Sequence, residues 1–303
     1  MTSQWQNIRQ NIGTWHGAFT QFSPEGNQVS DTPSVLTLEE ISLDKTMALT
    51  LTRSPTDGPE KVNRLTFTAP GPAPYTYFFE SGAFSQGSAQ WSSFGQFGTE
   101  VSLKVGDRRV RYVIMYEGTP HYTSKLKYVT LIGETQTGGP PFDESTLTLD
   151  QLLGHWQGHA EILAAATGEM TAGNSDWQLT PELALTCTEP ADGAADEHRP
   201  ALSLFSDSQA TLTSENVLPL KETSAEIAAG TDATALTYQL MLLPKGAYCL
   251  LPQEICREQA FRIEVGWLGD GGRRERLIRY YDTRGVWMAS ALITDRLIPD
   301  RLT

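Results

Sequence analysis

The chain has 303 residues, of which 39% are apolar, enough to fill one large core or two ordinary ones. Its 36 acids against 23 bases give a net charge of −13. That argues against a phosphate-neutralising nucleic-acid binder and against a partner for an anionic membrane surface. No apolar run approaches a membrane span, and the first residues carry neither a basic start nor an apolar secretory segment, so a cytoplasmic protein is expected. Cys187, Cys249 and Cys256 have no metal-type spacing and read as reduced thiols.

In chain order, the first element is a short helix-like stretch that leads into Gly13-Thr14-Trp15-His16-Gly17. Short alternating segments follow at 35–39, 47–52, 65–68, 75–79, 101–105, 109–116 and 125–132. Their apolar and Thr alternation fits half-buried strands. Pro- and Gly-rich turns separate them, such as 54–59 and 70–74. The stretch Gly138-Gly139-Pro140-Pro141, set among polar residues, reads as a linker.

After the linker the pattern starts again. A helical turn with Asp150 as its expected N-cap leads into Gly154-His155-Trp156-Gln157-Gly158. Strands are expected at 177–179, 202–205, 210–212, 238–243, 261–267, 274–281 and 286–293. Asp270-Gly271-Gly272 marks a hairpin turn. Gly-x-Trp-x-Gly thus occurs twice, and so does Arg-x-Arg-x4-Tyr-acid, at Arg109/Arg111/Tyr116 and at Arg274/Arg276/Tyr281. Agreement at both ends, in the same order, means an internal duplication. Residues 1–140 hold 12 acids and 11 bases, and the remainder holds 24 and 12, so the second copy carries the excess charge.

The expected architecture is all-β, with two tandem antiparallel barrels, each preceded by a short helix. The first would span 1–134, a linker 135–147, and the second 148–303. The Asp192–Glu197 region would be an acidic solvated loop insertion near 188–200.

A helical turn running into Gly-x-Trp resembles the opening of lipocalin or calycin barrels. There the tryptophan closes the barrel floor under an arginine from near the last strand. Residues 14–17 also resemble the start of nitrobindin-type barrels. Over its full length, with both motifs doubled, the chain looks most like an uncharacterised cyanobacterial and plastid family, a domain of unknown function with a tandem calycin-like fold. Single-barrel phycobilin lyases are similar in fold class. The resemblance implies a lumen but no reaction.

The candidate ligand-binding residues are Trp15, Arg109, Arg111 and Tyr116 in the first copy, and Trp156, Arg274, Arg276 and Tyr281 in the second. Strand alternation puts the arginines of each copy on one face. It leaves open whether that face or the tyrosine face looks inward. Inward arginines would need anionic partners, either a ligand carboxylate or internal Glu and Asp. No catalytic residue or metal site is expected. His155 and His159 lie about 13 Å apart on a strand, too far to share an ion. The expected function is binding of a small apolar, carboxylate-bearing ligand, such as a tetrapyrrole, isoprenoid pigment or lipid, with no required cofactor. The alternatives are a lyase or isomerase acting on such a ligand, and a non-catalytic assembly factor with filled barrels and a protein partner.

Overall fold

The computed structural model describes residues 2–71, 74–180, 184–188, 208–212, 217–218, 227–228 and 236–299. The predicted acidic loop and the strand expected at 202–205 lie outside the described residues.

Helix α1 (Gln4–Arg9) opens the chain, capped by Ser3, whose side chain accepts from the Gln6 backbone while the Gln6 side chain returns the bond. Nine strands follow in one curled antiparallel sheet. They are β1 (Gly13–Phe22), β2 (Gln28–Ser42), β3 (Thr46–Arg53), β4 (Lys61–Thr68), β5 (Thr76–Phe78), β6 (Phe84–Gly87), β7 (Phe97–Val105), β8 (Arg108–Gly118) and β9 (Ser124–Gln136). Their order is β4-β3-β2-β1-β9-β8-β7-β6-β5, so β4 and β5 are unjoined edges of a half-barrel. Helix α1 covers one end, packing Trp5 and Ile8 with Trp15, Leu36, Leu38 and Met47.

The second sheet holds β10 (Gly154–Ala164), β11 (Met170–Leu179), β12 (Ala184–Thr188), β13 (Ser208–Leu212), β14 (Val217–Leu218), β15 (Ile227–Ala228), β16 (Thr237–Leu242), β17 (Ala247–Pro252), β19 (Phe261–Leu268), β20 (Arg273–Tyr281) and β21 (Trp287–Ile298). Its order is β14-β16-β15-β13-β12-β11-β10-β21-β20-β19-β17, and β16 pairs β17, which closes the ladder on itself. Strand β18 (Glu254–Ile255) leaves this sheet and pairs with β9 of the first.

The fold is therefore nearly all-β, with two barrel-like bodies in tandem, as the duplication implies. Three local readings change. The turn before β10 is a 3-10 turn, Leu149–Gln151, and its N-cap is Thr148 rather than Asp150. The Thr148 N–H donates to Gln151 Oε1 at 2.8 Å, and Asp150 lies inside the turn. The aromatic run 75–79 yields only the three-residue β5, because Tyr75 adopts φ 63° and breaks the strand. Strands β6, β12, β14, β15, β17 and β18 match no strand expected from the sequence.

The largest core is a seam between the bodies, outside both lumens. The outer face of β7–β9 presents Val101, Leu103, Val110, Tyr112, Ile114, Val129 and Leu131. It packs against Cys249, Leu251, Phe261, Ile263, Val265 and Leu277 of the second body. Tyr112 Oη donates to the Gly266 carbonyl at 2.6 Å, and Tyr116 Oη to the Pro252 carbonyl at 2.7 Å. Phe261 stacks on Tyr281 at 4.6 Å, with Phe97 edge-on to both. Such a seam resembles a domain core more than a transient contact.

Candidate functional site

Each Gly-x-Trp-x-Gly builds one cluster. The first glycine has positive φ, 134° at Gly13 and 112° at Gly154, which turns the chain from the helical stretch into the strand. The tryptophan then points inward, fully or almost fully buried, and its Nε1 donates to the carbonyl four residues back. The acceptors are Asn11 at 2.9 Å and Leu152 at 3.0 Å.

The second glycine faces a carboxylate. Gly17 pairs with Glu134 and Glu134 with Arg109 across three strands. Gly158, Asp295 and Arg274 form the same row in the second body. A Cβ at Gly17 would stand 2.8 Å from Glu134 Cγ, and one at Gly158 2.6 Å from Asp295 Cβ. Only glycine leaves room for the acid.

That acid bridges both arginines. In the first body Glu134 Oε2 accepts from Arg109 Nε at 2.6 Å and Arg111 Nε at 2.9 Å, and Oε1 accepts from Arg111 Nη2 at 2.9 Å. Arg111 Nη1 reaches Glu100 at 2.7 Å. In the second, Asp295 accepts from Arg274 Nε and Nη2, each at 2.8 Å, and from Arg276 Nε at 3.1 Å. Arg276 Nη1 reaches Glu264 at 3.1 Å and its Nη2 reaches Ser175 at 2.7 Å. The first arginine of each pair lies over its tryptophan ring, 4.2 Å from the centroid in both bodies. Trp177 sits on Arg274 as well, at 4.0 Å.

Burial pushes the Glu134 carboxyl up, but Arg109 and Arg111 override it and hold the group at about 2. Burial acts the same way on Asp295, and Arg276 and Arg274 hold it below the usual carboxylate range. Glu134 and Asp295 are thus ionised and offset charge on the arginines beside them.

The arginine face is therefore the inward one. The structure brings Trp15, Arg109 and Arg111 together, and likewise Trp156, Arg274 and Arg276. It does not bring Tyr116 or Tyr281 to them, because both lie on the opposite strand face, in the seam. The sequence reading missed Glu134, Glu100, Asp295 and Glu264. A findable signal was an isolated acid in the last strand of each copy, opposite the second glycine.

Other titratable groups are placed singly. His155 Nε2 meets Asp176 at 2.8 Å, and His16 meets Thr137 at 3.0 Å. Among the described residues no three His, Cys, Asp or Glu side chains are grouped to hold a metal ion. No described helix is long and apolar enough to cross a membrane. The described clefts lie elsewhere. One of about 770 Å³ runs along the outer face of β1 and β9 beside His16, Phe142 and Lys245. Another of about 360 Å³ opens at the uncovered end of the first half-barrel, by Phe19, Arg53 and Tyr128.

Fold and site together define a tandem barrel-like β protein with a buried Trp–Arg–carboxylate cluster in each body. Residues 1–139 match the N-terminal domain of the DUF3598 family, a domain of unknown function. A crystal structure of a DUF3598-family protein of unknown function from Nostoc punctiforme superposes with a TM-score of 0.77 and 28% identity, covering 98% of this chain and 100% of that one. The chain is thus similar to this uncharacterised family over its first 139 residues, and to that solved member over nearly its whole length. Residues 201–298 match the family described as "Biogenesis factor required for ATP synthase 1, C-terminal domain". A putative outer membrane protein from Bacteroides fragilis aligns over 97% of this chain and 100% of its own at 10% identity, but with a TM-score of 0.23 it bears on nothing here. No curated protein matches the chain.

Proposed function

We propose that the chain is a non-catalytic assembly factor acting in ATP synthase biogenesis. The observation that carries this reading is the internal neutralisation of the four arginines of the two Trp clusters by Glu134, Glu100, Asp295 and Glu264. The charge of these guanidinium groups is met inside the protein, although Arg109 Nη2 and Arg274 Nη1 are buried without a hydrogen-bond partner, and removing Glu134 or Asp295 would strand a buried charge. The Trp–Arg ends of both bodies are therefore structural.

Two further features support a protein partner. The seam buries a face of each body against the other, an arrangement suited to presenting a composite surface. At one edge of that unit Phe94 and Tyr122 stand 76% and 53% exposed, edge to face at 5.5 Å. Arg257 of the second body lies over both rings, at 5.6 and 5.1 Å. Aromatic residues and arginine dominate interface hot spots, and an exposed cluster built from both bodies suits that role. The similarity of residues 201–298 to a factor named for ATP synthase biogenesis supplies the process.

The test is deletion of the gene in its own source, followed by native gels of ATP synthase. An assembly role predicts less assembled enzyme with unchanged subunit transcripts, restored by the wild-type gene. Normal levels of assembled enzyme would overturn it.

A further inference from the structure

The uncovered end of the first half-barrel has chemistry that neither the Trp–Arg clusters nor a docking role uses. The 360 Å³ cleft there lies within the range of small-ligand pockets, about 300–1,000 Å³. One wall is apolar, from Phe19 and Val113, with the Tyr128 ring beside them. The other is cationic, from Arg53 and Lys61.

The two cations are register partners, directly opposite each other on β3 and β4. Like charges in that position repel, so the pairing costs stability unless something offsets it. Among the described residues nothing does. Neither Arg53 nor Lys61 forms an ion pair with any described residue. The Arg53 Nε is buried and has no hydrogen-bond partner, although its guanidinium is fixed 5.4 Å from the Phe19 ring centroid. A buried donor left unpaired costs about 1–3 kcal/mol.

Glu100 binds Arg111, and Glu60 in the β3–β4 turn accepts from Ser54 Oγ at 3.1 Å and forms no ion pair with either cation. Gln21 and Thr130 add neutral polar groups to the wall. The contrast with the interior is sharp: every inward arginine of the Trp clusters has its acid, and the pair at the open end has no ion-pair partner among the described residues.

We propose that this open end binds a small amphipathic anion. Its oxyanion head would bridge Arg53 and Lys61, with one oxygen on Arg53 Nε, and its apolar body would lie on Phe19, Val113 and Tyr128. A guanidinium and an ammonium facing one oxyanion make charge-assisted bonds of the strong kind. The site is independent of the assembly role and stands or falls apart from it.

Octanoate and 1-octanol serve as matched probes, differing in the charged head alone. Calorimetric titration of the intact protein should give octanoate at least about tenfold tighter than octanol. Arg53→Gln should reduce octanoate to the level of octanol and leave octanol binding unchanged. Lys61→Gln, on an exposed edge strand, should weaken octanoate in the same direction. The Arg53 Nε–H signal in a nitrogen-edited NMR spectrum should move on adding octanoate. Equal binding of the two probes, octanoate binding indifferent to Arg53→Gln with the fold intact, or no uptake of octanoate would each overturn the proposal.

Discussion

Gly17 stands directly across the β1–β9 ladder from Glu134, so close that a Cβ at Gly17 would lie 2.2 Å from the Gly133 carbonyl oxygen and 2.8 Å from Glu134 Cγ. The glycine exists for the carboxylate, and the carboxylate for the two arginines beyond it. Gly17→Ala should therefore destabilise by about 1–3 kcal/mol or more, and Gly158→Ala likewise. Gly95, with open space around its Cα, is the control. Its alanine variant should stay within about 0.5 kcal/mol by urea denaturation. Equal effects at all three positions would contradict this role.

The buried acids set an acid limit. Glu134 is held at about 2 in the folded chain, below its ordinary value of 4.5. A depressed folded value means the stabilisation is complete above the ordinary value and drains away as pH falls through the folded one. Asp295 adds to the same limb. Stability should fall progressively from about pH 4.5 towards pH 2, followed by circular dichroism at fixed urea. Glu134→Gln should cost about 3–5 kcal/mol near neutrality, because it strands Arg109 and leaves Arg111 with Glu100 alone, and should flatten that acid limb.

The seam couples the two bodies. Phe261 stacks on Tyr281 at 4.6 Å and meets Phe97 of the first body at 5.6 Å. Phe261→Ala should cost about 3–5 kcal/mol. Wild-type melts followed by tryptophan fluorescence and by far-UV circular dichroism should coincide, because neither body exposes its seam face alone. Two separated transitions would mean that the bodies fold independently.

The thiols divide by burial. Cys249 lies inside the seam, and burial pushes its thiol well above the ordinary range. Cys256 is part-exposed, and burial with Glu254 nearby raises it more mildly. A chromogenic disulfide reagent should modify Cys256 slowly in the native protein and Cys249 only on unfolding. The Cys187 side chain lies outside the described residues.

The tandem architecture was legible because Gly-x-Trp-x-Gly and the arginine strands each occur twice, and each repeat has a local cause: a positive-φ entry, a buried indole, a slot for an acid. Alternation alone could not orient the arginine strands. In β8 both faces are buried, Arg109 and Arg111 in the half-barrel and Tyr112 and Ile114 in the seam, so no apolar-in, polar-out rule distinguishes them. The seam is a contact between the copies, which no periodicity within one copy encodes. For the same reason Tyr116 and Tyr281 read as lumen candidates although they lie in that seam. Arg53 carried no sequence signal, because its meaning comes from having Lys61 opposite and no ion-pair partner among the described residues.

The most direct test of an assembly role is sedimentation of the purified chain with separately purified subunits of the ATP synthase catalytic head. A saturable complex with at least one subunit is expected. The Phe94→Ala/Tyr122→Ala variant should lose that complex while keeping the wild-type melting temperature. Failure of every subunit to co-sediment at concentrations of tens of micromolar would contradict the assembly reading.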